Sequence, residues 1–119
     1  MSALSFGSRR IYLACGATDM RKQINGLMLI VQERFKLDPF SPALFVFCNR
    51  GRDRLKILEW DDDGFWLYFK RLEKGRFQWP QPGGEPTMTL TGEELTVMLS
   101  GVKVGLKLKR NEVRERVIS

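Results

Sequence analysis

Histidine is absent from this chain of 119 residues, and cysteine occurs only twice, as Cys15 and Cys48. Without imidazole the sequence lacks the commonest general base and a usual ligand of transition metals. The two cysteines lie far apart and form no paired metal-ligand spacing, which argues against a zinc finger. A structural disulfide is not expected in a reducing compartment. Both cysteines are therefore predicted to act as small apolar side chains at strand ends.

Long apolar runs are also lacking. No stretch approaches the roughly 20 residues of a membrane-spanning helix. Residues 1–6 have neither the basic flank nor the apolar segment of a secretion signal. We therefore expect a cytoplasmic protein that does not contact a membrane. The chain length and the 43% of hydrophobic residues are typical of one soluble globular domain.

Acidic residues are in the minority, with 14 Asp and Glu against 20 Lys and Arg, which gives a net charge of +6. A basic balance of this size favours polyanionic partners such as nucleic acid. The same charge also keeps a protein soluble without any such partner. Composition by itself leaves both explanations open.

Hydrophobic periodicity predicts an α+β fold in which a mainly antiparallel sheet, a meander, packs against one long and one short helix. Residues 11–14 have the pattern of a short strand. Apolar residues at spacings of three and four then predict a long helix over residues 19–36. Ala43–Cys48 is an almost continuous apolar run, which is typical of a central strand covered on both faces.

The meander is predicted from three segments at hairpin spacing, residues 54–60, 65–72 and 76–79. Three-residue loops that end in Gly64 and Gly75 would connect them, with the glycines at positive φ. Prolines after Trp79 are expected to end the sheet.

A capping box at Thr91 and Glu94 predicts the short helix, and Gly101 is expected to stop it. We predict one domain over residues 1–101, followed by a basic tail over residues 102–119. The tail has six Lys and Arg against two Glu. Its valines and leucines alternate with lysines, a pattern that fits either an edge strand or a flexible basic arm.

The predicted loop lengths place the even-numbered residues of the meander on one face and the odd-numbered residues on the other, core-facing side. Cations neutralise phosphates and flat rings stack on bases, so the even-numbered face is a candidate nucleic-acid platform. Alternatively, that face packs partly under a helix, with lysine stems that reach solvent. A one-residue error in either loop exchanges the faces. The residues of this even-numbered face are Arg54, Lys56, Leu58, Trp60, Trp66, Tyr68, Lys70, Arg76 and Gln78.

A turn after the apolar strand concentrates Arg50, Arg52 and Arg54 around a glycine. Arginine binds phosphate bidentately, although salt bridges to Asp53 would also explain an exposed turn. One aspartate cannot neutralise three arginines and a nearby lysine, which favours phosphate. Arg21 and Lys22 form a second candidate cluster. Cations at the start of a helix oppose the helix dipole, so helix stability does not explain their position. The predicted nucleic-acid-binding residues are Arg21, Lys22, Arg50, Arg52, Arg54, Lys56, Trp66, Tyr68, Lys70, Arg71 and Arg76.

Catalysis has little support in the sequence. The strongest acidic cluster, residues 61–63, lies at a predicted hairpin tip, where consecutive side chains point in different directions. A two-metal site would need distant acids such as Asp19, Asp53 and Glu59 to converge. Each of these has a simpler capping or pairing role. We predict no catalytic residues, no metal site and no cofactor.

A series of short segments, in this order, resembles one known family. The segments are Asp19-Met20-Arg21-Lys22, Asp38-Pro39-Phe40-Ser41, Leu44-Phe45-Val46-Phe47-Cys48-Asn49-Arg50, Leu55-Lys56-Ile57-Leu58, Lys70-Arg71-Leu72-Glu73 and Arg76-Phe77-Gln78-Trp79-Pro80. They resemble TnpB, the small second-frame accessory protein of bacterial insertion sequences of the sixty-six type. The resemblance covers residues 10–101, leaves out the tail, and implies a role in transposition beside a larger transposase.

The leading prediction is therefore a non-enzymatic accessory protein that binds DNA, with the element ends as the expected site. The alternative is a protein-interaction module that docks on the transposase without binding DNA, since exposed tryptophans and arginines are also typical of protein interfaces.

Overall fold

The computed structural model describes residues 9–101, so the predicted tail over residues 102–119 lies outside the described residues. Strands and helices occur together in the described residues, which confirms the α+β class. The elements in chain order are β1 (Arg10–Ala14), α1 (Ile24–Leu29, continued by a π turn over Ile30–Arg34), β2 (Ala43–Cys48), β3 (Arg54–Trp60), β4 (Phe65–Arg71), β5 (Thr87–Leu90) and α2 (Gly92–Leu99).

The five strands form one mixed sheet in the order β4-β3-β2-β1-β5. β1 and β2 are parallel, because α1 carries the chain from one to the other, and the remaining pairs are antiparallel. The prediction of a meander over residues 54–79 is therefore not confirmed, although most strand pairs are antiparallel, as predicted. Its third strand, residues 76–79, is not a strand, and β5, which follows the prolines, pairs with β1 at the opposite edge instead.

Helices pack on both faces of the sheet, although the edge strand β4 stays largely exposed. α1 packs on one face, where Leu27 and Val31 are fully buried against Phe45. α2 and the segment over residues 77–79 pack on the other face, with Phe77 and Leu95 in the core. The predicted central strand is confirmed, since every residue of β2 is buried.

Residues 77–79 contribute to the core without forming a strand. The indole N–H of Trp79 donates to the carbonyl of Ala14 at 2.8 Å, and the amide of Phe77 donates to the carbonyl of Arg52 at 2.7 Å. Their burial, which the alternating pattern predicted, is therefore achieved by a segment that crosses the sheet face.

α1 begins at Ile24, later than predicted, and has six residues before a π turn of five, against eight in α2. The contrast of one long and one short helix is not confirmed. Lys56 explains the late start of α1. Its ammonium group donates to the carbonyls of Met20 and Lys22 at 2.9 and 2.8 Å. Those carbonyls bond to a lysine from β3 instead of to helical amides.

The β3–β4 hairpin has a different register from the predicted one. Trp60 pairs with Phe65, so residues 61–64 form a four-residue loop in which Asp62, not Gly64, has a positive φ of 55°. One additional loop residue reverses the parity of β4 relative to β3. The predicted even-numbered face is therefore wrong, because Lys56 shares its face with Phe69 while Trp66 shares the opposite face with Glu59.

The local predictions for the second helix are confirmed. Thr91 and Glu94 form the reciprocal capping box, and Gly101 follows the helix with φ of 72°. Cys15 and Cys48 are both free and buried, as expected of small apolar side chains. Within residues 9–101, neither α1 nor α2 has the length and apolar character that crossing a membrane requires.

Candidate nucleic-acid interface

The turn over residues 49–54 is organised by the side chain of Asn49. Its carbonyl oxygen accepts from the amides of Asp53 and Arg54, both at 3.0 Å, and its amide group donates to the carboxylate of Asp53 at 2.8 Å. This last hydrogen bond, together with the charge of Arg54, lowers the pKa of Asp53 below its ordinary value. The turn is thus a defined structure whose one acid is already occupied.

Backbone hydrogen bonds bring the chain after β4 against this turn. The amide of Leu72 donates to the carbonyl of Asp53 at 2.8 Å, and the amide of Phe77 donates to that of Arg52. Arg54 and Arg71 are cross-strand partners, so they lie side by side on one face. The fold therefore gathers five of the predicted cations at one end of the sheet, which we call the arginine end: Arg50, Arg52, Arg54, Arg71 and Arg76.

Few carboxylates neutralise the arginine end. Arg54 lies 3.5 Å from Asp53, and Arg71 donates to Glu73 at 2.9 Å. Within residues 9–101, Arg50, Arg52 and Arg76 have no carboxylate within 4.0 Å. Salt bridges inside the turn, the alternative left open by the sequence, thus account for one of its three arginines.

One further arginine joins this end and was missed from the sequence. Arg34, the last residue of the π turn, lines a cavity of about 290 Å³ together with Arg50 and Arg52. Asn49 and Gln81 add polar groups, and none of the lining residues is acidic. No sequence signal identified Arg34, because it lies on the polar side of a predicted helix, where arginines are common.

A second, more open depression of about 560 Å³ continues from Arg52 to Arg76. Both acids of the arginine end, Asp53 and Glu73, line this depression. The two hollows thus differ in charge, one lined by arginines without acids and the other by cations and acids together.

Lys56 does not belong to this surface. Its side chain is 6% exposed, and its ammonium group is held by the two carbonyls before α1. A lysine in that position supports the fold and does not belong to the arginine end.

Arg21, from the second predicted cluster, is exposed but forms a bidentate pair with Asp19 at 2.8–3.2 Å. Hydrogen bonds from Arg21 lower the pKa of Asp19 to about 2.

Trp66 and Tyr68 lie together, away from the arginine turn. Their rings are stacked with centroids 6.0 Å apart and planes 7° apart. They stand on the opposite sheet face from Arg54, and Trp66 is separated from Arg71 by five strand positions, or roughly 17 Å. The predicted continuous strip of cations beside exposed rings is therefore not formed by this register.

The polar atoms of both rings have protein partners. The indole N–H of Trp66 donates to Asp61 at 2.9 Å, and the hydroxyl of Tyr68 donates to Glu59 at 2.8 Å. Glu59 is fully buried and also meets Arg9 at 3.1 Å. Burial and the Glu59 carboxylate raise the pKa of Tyr68. Tyr68 thus packs against the core, whereas Trp66 stays half exposed.

The remaining predicted cations are dispersed. Lys22 is exposed before α1, and Lys70 donates to the carbonyl of Leu99 at the end of α2. In residues 9–101 the structure contains no group of three or more acidic or cysteine side chains arranged to hold a metal ion.

Comparison with known proteins identifies the family. The family model for IS66 Orf2-like proteins matches residues 9–109, which includes the start of the tail, where no resemblance was expected. Two uncharacterized proteins of Sinorhizobium fredii are similar to the chain. Protein y4hO is 41% identical over 93 residues, covering 78% of this chain and 80% of y4hO, and protein y4jC is 32% identical over 105 residues, covering 88% of each.

No solved structure matches the chain. The family model covers most of the sequence, and the segments that it spans include β1 to α2 and every arginine of the arginine end. The chain therefore belongs to the IS66 Orf2-like family, the accessory proteins of a bacterial insertion sequence, which implies an accessory role in transposition.

Proposed function

We propose that this protein acts in transposition as a non-enzymatic DNA-binding factor, with the arginine end as its contact surface. The observation that carries the proposal is the convergence of arginines from α1, the 49–54 turn, β4 and the loop after it at one end of the sheet. The element ends are the expected DNA site.

The local electrostatics support a backbone contact. Guanidinium groups bind phosphate through two parallel hydrogen bonds, and their release of condensed counterions provides most of the affinity for DNA. Arg54 and Arg71 lie directly opposite each other on neighbouring strands, where like charges destabilise a sheet. Asp53 and Glu73 each pair with one of these arginines, and a polyanion placed across both would remove the repulsion that remains.

The test is a salt titration of binding to element-end duplex, random duplex and single strand, with the variant Arg54→Ala/Arg71→Ala/Arg76→Ala. These three residues lie outside the acid-free cavity. Each lost phosphate contact should reduce the slope of log K against log salt by about 0.9, so the triple variant should flatten it by about 2–3.

The matched control is Arg10→Ala, which removes one exposed cation at the other end of β1. It should leave the slope nearly unchanged. An unchanged slope in the triple variant would show that the arginine end does not contact DNA. An equal change per charge removed in the control would show that binding follows net charge alone.

The second candidate function is docking on the transposase, and the edge strand β4 favours it. β4 has no neighbour on its outer side within residues 9–101. It exposes aromatic side chains on both faces, with Trp66 50% and Phe69 54% accessible. Unpaired edges add strands from partners, and exposed tryptophans are common at the centres of interfaces.

A pull-down with purified transposase in the presence of nuclease tests this candidate. The variant Trp66→Ser/Phe69→Ser should lose the complex. Met88→Ser, at an exposed residue on the opposite edge strand β5, should retain it. Retention by both variants excludes β4 as the docking edge.

A further inference from the structure

We infer that the cavity between Arg34, Arg50 and Arg52 is a binding site for a single phosphate group of a nucleic acid, either a phosphodiester or a terminal monophosphate. The nucleic-acid source of that phosphate rests on the proposed function. The capacity of the cavity to bind the anion is a separate property with its own test.

The cavity lies where the only parallel strand pair of the described sheet ends. Gly16 and Ala17 follow β1, while Asn49 and Arg50 follow β2, and all four line the cavity. From there the chain continues to α1 in one case and to the antiparallel neighbour β3 in the other. Diverging connections beyond the carboxyl ends of parallel strands leave a crevice, the usual place for ligands in open sheets.

The positive charge of the cavity lining favours an anionic ligand. Three arginines line it without an acid, and within residues 9–101 none of the three has a carboxylate within 4.0 Å. Its volume of about 290 Å³ is at the lower limit for small-molecule pockets. A group as small as a phosphate fits that size and offers the oxygens that three guanidinium forks require.

The turn has an unfavourable backbone conformation at Arg52. Arg52 has a positive φ of 61°, a left-handed conformation that is unfavourable for a residue with a side chain. Gly51, which would tolerate that conformation, has none of its strain, and a Cβ added there would have ordinary contacts, 3.4 Å from Asp53 at the nearest. An arginine held where glycine is favoured indicates a role for the guanidinium itself.

The π turn places the third arginine. The amide of Phe35 donates to the carbonyl of Ile30 at 3.0 Å, one residue beyond the helical partner. This widening changes the direction of Arg34 relative to a regular helix. Single π turns inside helices frequently occur at functional sites.

The rest of the cavity lining, around Gly16 and Trp79, is held by hydrogen bonds within the protein. The amide of Gly16 donates to the carbonyl of Pro80 at 2.9 Å, and a Cβ on Gly16 would approach Pro82 to 2.9 Å, too close for another residue. The indole of Trp79 is anchored on Ala14. A preformed wall lowers the ordering cost of binding.

The experiment titrates inorganic phosphate into the full chain at constant ionic strength, with chloride as the comparison anion. NMR follows the Nε–H signals of the arginine side chains. Phosphate should shift the signals of Arg34, Arg50 and Arg52 in a saturable manner. Arg34→Gln should raise the dissociation constant for phosphate about tenfold, since one charge-assisted contact is lost.

Arg10→Gln is the matched control, because it removes the same charge at the other end of β1. Arg50→Gln, on the exposed turn, provides a second variant should Arg34→Gln fail to fold. Shifts that rise linearly with phosphate, or equal weakening in the control, would overturn the site. If the protein binds duplex but phosphate does not bind in the cavity, this inference alone is overturned. If phosphate binds without any DNA binding, the proposed function and the nucleic-acid source of the phosphate are overturned, and the anion site stands.

Oligonucleotides of one sequence, with and without a 5′-phosphate, distinguish the two sources. Preference for the phosphorylated form that disappears in Arg34→Gln assigns a terminal phosphate. Equal weakening of both forms assigns a phosphodiester. If Arg34→Gln weakens neither oligonucleotide, the cavity does not hold nucleic-acid phosphate.

Discussion

Replacing Lys56 by methionine tests the most consequential difference between the predicted and the observed site. The sequence placed this lysine on a DNA-binding face. In the fold its ammonium group instead donates to the carbonyls of Met20 and Lys22, with 6% of the side chain exposed. Lys56→Met should therefore lower the free energy of unfolding and leave DNA binding unchanged.

The expected magnitude follows from two opposing terms. Hydrogen bonds to charged groups contribute about 1.5–3 kcal/mol each, so both together are substantial. Methionine, however, avoids the desolvation cost of an ammonium group. Because Met20 is only half-buried and Lys22 is exposed, water can replace part of the lost bonding. A net loss of about 2 kcal/mol results.

Urea denaturation followed by tryptophan fluorescence measures this loss as a lower midpoint at unchanged slope. Hydrogen exchange should accelerate at residues 19–23 before the strands are affected. Arg54→Met, two positions away on the same strand, is the reciprocal control. It should change stability by less than about 0.5 kcal/mol while it flattens the DNA salt slope by about 0.9. Unchanged stability with a flatter slope in Lys56→Met would refute the structural role.

Three further measurements check other parts of the fold. The pKa of Asp19 is about 2, below its ordinary value of 3.8, so its pair with Arg21 should persist above pH 3.8 and be lost as the pH falls through about 2. Carboxyl NMR should show that midpoint, and Arg21→Ala should return the pKa towards the ordinary value. Burial raises the pKa of the Cys48 thiol to about 12, so alkylation at pH 8 should proceed only through unfolding, and direct second-order labelling of the native protein would contradict this. Phe77 is fully buried, so Phe77→Ala should lower the free energy of unfolding in urea by about 3–5 kcal/mol. A loss below about 1 kcal/mol would show that residues 77–79 do not belong to the core.

The site was partly predictable because three of its arginines are neighbours in the sequence. Arg50, Arg52 and Arg54 share one turn, and their proximity requires no tertiary information. Arg34 joins them only because α1 packs across the sheet and a π turn redirects its last residue. Nothing in the local pattern marks an arginine on the polar side of a helix as part of a cavity.

The assignment of Trp66 and Tyr68 to the same face as Arg54 failed for a different reason. It depended on a loop of three residues, and the loop has four, with Asp62 in the positive-φ position expected of Gly64. Strand side chains alternate with a period of two, so one residue is enough to move every side chain of β4 to the other face.

Features that depend on near neighbours can be read from the chain alone: the apolar core strand β2, the buried stripe of α1, the capping box of Thr91 and the stop at Gly101. Periodicity and capping are local, so a few adjacent residues specify them. Tertiary contacts set the hairpin register, the late start of α1 beside Lys56, and the position of Arg34 next to the turn. Each of these depends on the free energy of contacts between distant segments, which no local pattern contains.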